Sequence, residues 1–269
     1  ALEELSPKSF TPAPEKNGYL YEISMADIHI GKLAWAEETK GQNYDSSIAV
    51  NRAKEAVATL LSYIDLDLVE RFLLPVGNDL FNSDNAAATT TAGTPQHEDS
   101  RWQNTFMKGA KLFTDIVEYL TQYAPVDIVI VQGNHDHERS FYLGEYLSAW
   151  FRNHPSVKIN NEPSTRKYYV WHKNLIGMTH GNEEKHAELP LIMATEKPQD
   201  WAATKWHYFQ LGHWHREKLE DIKGVKVHVL PSFCEQDAWH TKKGYVGNDR
   251  SAEGLLFDKE LGLVANFYY

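Results

Sequence analysis

The apolar positions of this chain change period along its length. Over residues 18–26 they alternate well enough to predict a strand, and over 46–63 (Ser-Ser-Ile-Ala-Val-Asn-Arg-Ala-Lys-Glu-Ala-Val-Ala-Thr-Leu-Leu-Ser-Tyr) they recur at helical spacing. Residues 71–76 read as a second strand, which completes a β-α-β unit. After a polar stretch at 82–96, residues 99–123 carry a long amphipathic helical pattern and 126–131 a β-branched apolar run, so the unit repeats. Further strands are predicted at 167–172, 175–179, 206–211, 225–230, 254–257 and 264–268. Residues 183–203 are rich in helix formers but broken by Pro190 and Pro198, and are expected to form one wall of a cleft.

Two segments stand outside this rhythm. Residues 33–45 read as an insertion, and residues 86–96 (Ala-Ala-Ala-Thr-Thr-Thr-Ala-Gly-Thr-Pro-Gln) read as a mobile loop, either a lid or a plain surface excursion. The length of 269 residues allows one or two domains, and a hydrophobic fraction of 42% is enough for a sizeable core. No apolar run approaches the roughly 20 residues that cross a membrane, so a soluble protein with no membrane partner is expected. The one cysteine, Cys234, excludes an intramolecular disulfide and fits a reducing compartment. Ala1-Leu2-Glu3-Glu4-Leu5 lacks the features of a signal peptide, and the expected location is the cytoplasm of a bacterium or of a phage-infected host. A net charge of −10 counts against nonspecific binding to a polyanion, whose affinity comes from Lys and Arg. Lys32, Lys40, Arg101, Lys108 and Lys111 are read either as a basic rim or as a solvated helix face.

Candidate chemistry lies in seven residues: Asp27 and His29, then Asp79, Asn134, His180, and finally His213 and His215. Their settings are Asp27-Ile28-His29, Gly77-Asn78-Asp79, Gly133-Asn134-His135-Asp136, His180-Gly181 and Gly212-His213-Trp214-His215. Carboxylate or amide oxygen mixed with imidazole nitrogen, without thiolate, suits borderline or hard divalent ions. Seven donors exceed the roughly three that one open catalytic site uses, but suffice for two ions sharing a carboxylate. Two ions about 3.5–4 Å apart can clamp both the attacking and the leaving oxygen of a displacement at phosphorus. Phosphate ester cleavage is the chemistry this favours. Any one of these histidines alone is weak support; the ordered conjunction carries the reading. His97, His137, His154, His172, His186, His207, His228 and His240 have no such setting and default to surface or satisfied polar roles, with His137 and His186 near enough in sequence to approach a substrate.

In the order D-x-H, G-N-D, G-N-H-D, H, G-H-x-H, these blocks resemble the calcineurin-like metallophosphoesterase superfamily over roughly residues 18–230. The resemblance implies an α/β fold, a two-sheet β-sandwich flanked by helices in four α-β-β-α layers, here as a single domain over 1–269 with its last strands within 250–269. It implies that Asp27, His29 and His215 hold one ion, that Asn134, His180 and His213 hold the other, and that Asp79 bridges them. His135 corresponds to the histidine that contacts the scissile phosphate and protonates the leaving oxygen, with Asp136 orienting its ring. Many members read Gly-Asp in the second block, so Asn78 is a departure. A shifted register would put Asn78 at the bridge, but an amide is a poor bridge and Asp79 is assigned. Asp84 is expected to cap a helix or turn rather than ligate.

Two divalent ions are expected, Mn²⁺ first, with Fe²⁺, Zn²⁺, Co²⁺ or Ni²⁺ also suited to such donors. The stretch 231–247 resembles the tail of phage and prophage metallophosphoesterases related to DNA repair exonucleases. Those nucleases usually carry a further capping domain, and the 54 residues after His215 are too few for one. Asn82, Arg101 and Trp214 are candidate substrate contacts, with Trp102 or Trp214 able to stack a base. The expectation leans to a DNA exonuclease-like phosphodiesterase; the alternatives are a phosphatase or cyclic-nucleotide phosphodiesterase on a small substrate, and a scaffold that has lost catalysis.

Overall fold

This computed structural model describes residues 9–244 and 247–269. Residues 1–5, read above for a leader, and Tyr245 and Val246 of the C-terminal stretch lie outside the described residues. In chain order the elements are β1 (Tyr19–Ser24), α1 (Ala36–Thr39), α2 (Ser46–Ser62), β2 (Val69–Gly77), α3 (Trp102–Leu120), β3 (Val126–Val131), α4 (His137–Trp150), β4 (Val157–Asn160), β5 (Lys167–Trp171), β6 (Asn174–Met178), α5 (Leu189–Glu196), α6 (Pro198–Ala203), β7 (Trp206–Leu211), β8 (Lys218–Ile222), β9 (Val225–Val229), α7 (Ala238–Lys243), β10 (Glu253–Asp258) and β11 (Gly262–Tyr268). They form a six-stranded sheet ordered β11-β10-β1-β2-β3-β4 and a five-stranded sheet ordered β5-β6-β7-β9-β8. Strands β1 to β4 run parallel, as do β6, β7 and β9, and the remaining pairings are antiparallel.

The strand period of two assigns side chains to three separate cores, which makes the fold four layers deep. In β3, Ile128 and Ile130 face α2, α3 and α4, while Val129 and Val131 face the other sheet. In β7, Tyr208 points between the sheets and Phe209 and Leu211 point outward against Leu189 and Met193 of α5. The architecture is the expected helix–sheet–sheet–helix sandwich. Both central parallel strands are apolar on both faces, as sheets covered on both sides require.

Several elements depart from the expectation. Helix α4 follows directly on the Asn134 block and was not foreseen; it buries a narrow face of Ser140, Leu143, Gly144 and Leu147. Strands β4 and β8 were also not foreseen, β8 because Lys-Leu-Glu-Asp-Ile is an exposed edge whose charges guard it and hide its alternation. Pro190 and Pro198 begin α5 and α6 rather than break a helix, since proline fits a first turn. That segment packs outside the second sheet and is not a wall of the cleft. Residues 86–96 are tied down: Thr89 and Pro95 form an antiparallel bridge, Thr91 N–H donates to the Asn134 carbonyl at 3.0 Å, and Gln96 N–H to the Ala88 carbonyl at 2.8 Å. No helix among the described residues is long and apolar enough to cross a membrane.

Candidate metal centre

Every candidate donor leaves the carboxyl end of a parallel strand. Asp27 and His29 follow β1, Asp79 follows β2, Asn134 follows β3, His180 follows β6, and His213 and His215 follow β7. Such ends are where open α/β sheets collect their chemistry. Five of the seven, together with Asn78, turn in left-handed backbone: Asp27, His29, Asp79, His213 and His215 have φ from +49° to +68°, and Asn78 has +54°. Asp, Asn and His tolerate this conformation better than most residues, yet each such turn still costs about 1–3 kcal/mol. Cross-links between the loops hold it. Asp27 N–H donates to the Asn78 carbonyl and His29 N–H to the Asp79 carbonyl, both at 2.9 Å, and Gly212 N–H donates to the His180 carbonyl at 3.0 Å. The block glycines permit the crowding: a Cβ on Gly133 would overlap the Asp79 carboxylate, and one on Gly212 would lie 2.6 Å from Asn78 Oδ1.

The loops bring the seven candidates together. Donor atoms of Asp27, His29 and His215 lie within 4.8 Å of one another. His215 Nε2 is 3.5 Å and His29 Nε2 3.9 Å from Asp27 Oδ1. Asp79 Oδ2 lies between the two halves, 3.9 Å from His29 Nε2 and 3.1 Å from His180 Nε2. His180 Nε2 is in turn 2.8 Å from Asn134 Oδ1, and the His213 ring is 5.0 Å from that of His180. Asp27 Oδ2 and both ring nitrogens of His29 are buried without a hydrogen-bond partner. Orphaned polar atoms in a dry interior cost free energy, and a cation among them removes that cost. The donor set therefore fits divalent cations.

Charge states fit as well. Burial and then the neighbouring His135 hold the His29 imidazole well below its ordinary range, and burial and then His180 bring His213 down to about 4, so both are neutral as ligation requires. Burial alone would raise Asp79, but His180 and His135 overcome it and keep the carboxylate ionised far below its usual range. Burial works against a charge on His180 too; the Asp79 carboxylate outweighs it and lifts His180 to about 9. A cation bound at Asp79 would take the place of that proton.

Asn78 has a role that the sequence did not disclose. Its Oδ1 lies 2.7 Å from His180 Nδ1, which fixes the ring so that Nε2 faces Asp79 and Asn134. Asn78 thus supports a candidate ligand and does not occupy the bridge. Asp136 needs correction. Its buried carboxylate accepts from Phe81 N–H at 3.0 Å and Gly133 N–H at 3.1 Å, bracing the two loops, and does not orient His135. The His135 ring is held instead by the Asn82 carbonyl, 2.9 Å from Nδ1.

Asn82 lines the cavity, with its amide nitrogen donating to the His97 carbonyl and to Glu98 Oε1, both at 3.1 Å, and its main-chain carbonyl on His135. Arg101 lies in a separate pocket with Trp102, away from the donors, and Trp102 sits under the Arg139 guanidinium at 5.7 Å. Neither of the pair lines the main cavity. Trp214 does, with 46% of its surface exposed and its indole N–H on the Gly181 carbonyl at 3.2 Å. Of the expected basic rim only Lys32 lines the cavity, buried against Cys234 and Asp237, while Lys111 pairs with Asp115 and Lys108 reaches Ser47. Asp84 caps α4, accepting from Glu138 N–H at 2.9 Å and Arg139 N–H at 3.1 Å.

Five of the seven candidates, His29, Asp79, Asn134, His213 and His215, floor a cavity of about 1470 Å³. The 33–45 insertion walls one side through Trp35 and Tyr44, and residues 237–242 wall another through Asp237, Trp239 and His240. His240, left to a bland role by the sequence, stacks on His215 with ring centres 4.9 Å apart while its Nδ1 pairs with Asp237 Oδ1 at 2.8 Å. His137 and His186 do not line the cavity.

No family model matches the chain, and no curated protein matches it. Among solved structures it is similar to an archaeal phosphodiesterase, with TM-score 0.44 and 14% identity, covering 93% of this chain and 99% of that one. It is also similar to a Vps29 double mutant from Entamoeba histolytica, with TM-score 0.36 and 10% identity, again covering 93% and 99%. Likeness of this size carries no argument about activity, which must come from the site.

Proposed function

We propose that this chain is a metal-dependent phosphoester hydrolase of the calcineurin-like type, acting as one domain. Asp27, His29 and His215 would hold one divalent ion and Asn134, His180 and His213 the other, with Asp79 shared. Within that class, the reading the cavity supports best is a phosphodiesterase. The observation that carries the proposal is the Asp79 carboxylate set between two groups of buried nitrogen and oxygen donors, some without partners, on the floor of a large cavity. When bound, the ions, Mn²⁺ or a similar dication, supply Lewis-acid stabilisation and activation of water. His135 lines the cavity, and the Asn82 carbonyl engages its Nδ1, leaving Nε2 to hand a proton to a leaving oxygen. Asn78 and the 77–83 loop fix where these groups stand before substrate arrives.

A pocket for a small ligand commonly measures about 300–1,000 Å³. The cavity here is larger, which favours a substrate with groups on both sides of phosphorus over a monoester. The DNA exonuclease-like reading retains Trp214 and the cavity-lining Lys32, Arg216 and Lys242 but loses Arg101, Lys108 and Lys111, which leaves fewer cations to grip a phosphate backbone. The walls raised by 33–45 and 237–242 favour a small diester, a cyclic nucleotide or a short nucleotide diester, over a long strand. The test is a Mn²⁺-supplemented comparison of bis-p-nitrophenyl phosphate, p-nitrophenyl phosphate, a cyclic nucleotide and end-labelled single- and double-stranded DNA, with Asp79→Ala as the blank. Cleavage of the diesters with DNA left intact is expected. Progressive shortening of DNA from an end would restore the exonuclease reading, and silence on every substrate with metals bound would leave a scaffold.

A further inference from the structure

Unpartnered buried polar atoms recur in a second place, between the two sheets. His228 in β9 and Glu253 at the start of β10 are 6% and 1% exposed, and His228 Nε2 and both carboxylate oxygens of Glu253 have no hydrogen-bond partner. Glu217, on the turn that runs from His215 into β8, approaches from the surface. Its Oε1 lies 3.7 Å from His228 Nε2, and Glu253 Oε1 lies 3.4 Å from the same nitrogen. Donor atoms of all three lie within 4.8 Å of one another. Glu22 stands nearby on β1, its own oxygens used by Ser24 at 2.6 Å and Gln210 at 2.8 Å. Three glutamates thus surround one histidine in a mostly dry layer.

From this geometry we propose a third cation site, in which Glu217, His228 and Glu253 hold a divalent ion of the Zn²⁺ or Mn²⁺ kind. Two donors on one tetrahedral ion with bonds of about 2.1 Å sit about 3.4 Å apart. The observed 3.4 and 3.7 Å match that spacing and exceed an ordinary nitrogen–oxygen hydrogen bond. Carboxylate and imidazole without thiolate select the same borderline dications as the main centre. The one exposed ligand, Glu217, leaves a solvent side for water, and the Tyr268 hydroxyl, donating to Glu217 Oε1 at 2.7 Å, steadies that carboxylate. His228 and Glu253 are shut between the sheets, so the role assigned to the site is structural: it fastens β9 and β10, from opposite sheets, to the turn that presents His213 and His215.

The proposal is independent of the phosphoesterase reading, and its test reads metal content. The full chain is dialysed to equilibrium against Zn²⁺ and separately against Mn²⁺, and bound metal per chain is measured for wild type, Glu253→Gln, His228→Asn and Glu217→Gln. Each variant is expected to bind one equivalent fewer than wild type, whatever the wild-type total, and to keep its activity on a phosphodiester within about threefold. Glu217→Gln, on the surface, guards against a folding failure of the buried variants. Equal metal content in wild type and in folded variants would overturn the site and leave His228 and Glu253 as a buried ion pair.

Discussion

The two groups of carboxylates and histidines solve opposite problems with similar atoms. Around Asp79, the donors sit on loops at strand ends, in backbone turns that cost energy, and open onto a cavity. Around Glu253, the donors sit on or beside regular strands, with ordinary backbone; His228 and Glu253 are closed between the two sheets and Glu217 reaches them from the surface. A centre meant to act on a substrate needs exposure on one side and rigidity on the other, which is why the strained turns are cross-linked loop to loop. A site meant to fasten needs neither. If both proposals hold, the difference separates catalytic from structural use of the same chemistry more clearly than the identity of the residues does.

The sharpest way to break that comparison is His135→Ala. On the open-site reading His135 contributes proton transfer and holds no metal, so the variant should keep the metals of the main centre while kcat on a diester falls by about 10²- to 10⁴-fold. Metal per chain and steady-state kinetics on the same preparation decide it. Loss of an equivalent of metal would make His135 a ligand, an outcome that its place beside His29 and Asp79 makes worth measuring.

The same contrast explains what the sequence disclosed. Donors on strand-end loops come in short blocks, because a turn of three or four residues must deliver them: Asp27-Ile28-His29 and Gly212-His213-Trp214-His215 were legible for that reason. Most of the strands were legible from alternation and apolar runs, since β1, β3 and β7 are buried on both faces. Glu217, His228 and Glu253 were not legible, because strand pairing and sheet stacking bring them together across 36 residues, 217 to 253, with no local pattern. Asn78 and Asp136 failed differently. Their blocks were recognised, but which neighbour each side chain bonds depends on left-handed turns that a motif does not describe. Helix α4 was hidden behind the block that precedes it.

The inter-sheet layer can be probed through Glu22. Burial raises its carboxyl from 4.5 to about 7, outweighing the opposing hydrogen bonds from Ser24 and Gln210. A raised folded-state value means the contribution to stability is full below pH 4.5 and is lost as pH rises through about 7. By linkage the loss amounts to about 3 kcal/mol for this fully buried group. Glu22→Gln removes the titration, and its amide can meet Ser24 and Gln210, whose Oε1 has no partner. Compared in metal-free protein between pH 4.5 and 8.5, the variant should gain on wild type by up to about 3 kcal/mol in denaturant unfolding. A constant difference across that range would show that Glu22 carries the same charge folded and unfolded, and that the layer tolerates charge without a cation.

The smallest effect concerns the boundary between ligand and support. Asp84 stands five residues after Asp79 and could be taken for a member of the metal set, yet its Oδ1 accepts from two amides at the start of α4 and its Oδ2 from the Thr91 hydroxyl at 2.7 Å. It can cap this helix because Asp136, at the N-cap position itself, spends its carboxylate on Phe81 and Gly133. Asp84→Ala should therefore cost about 1–2 kcal/mol of stability, the ordinary price of a lost helix cap, with metal content unchanged. The midpoint of urea unfolding and the metal bound at equilibrium measure the two halves of that statement. A lost metal equivalent with an unmoved midpoint would place Asp84 among the ligands. The open centre would then extend past the strand-end turns into the loop of residues 86–96, which Asp84 ties to α4.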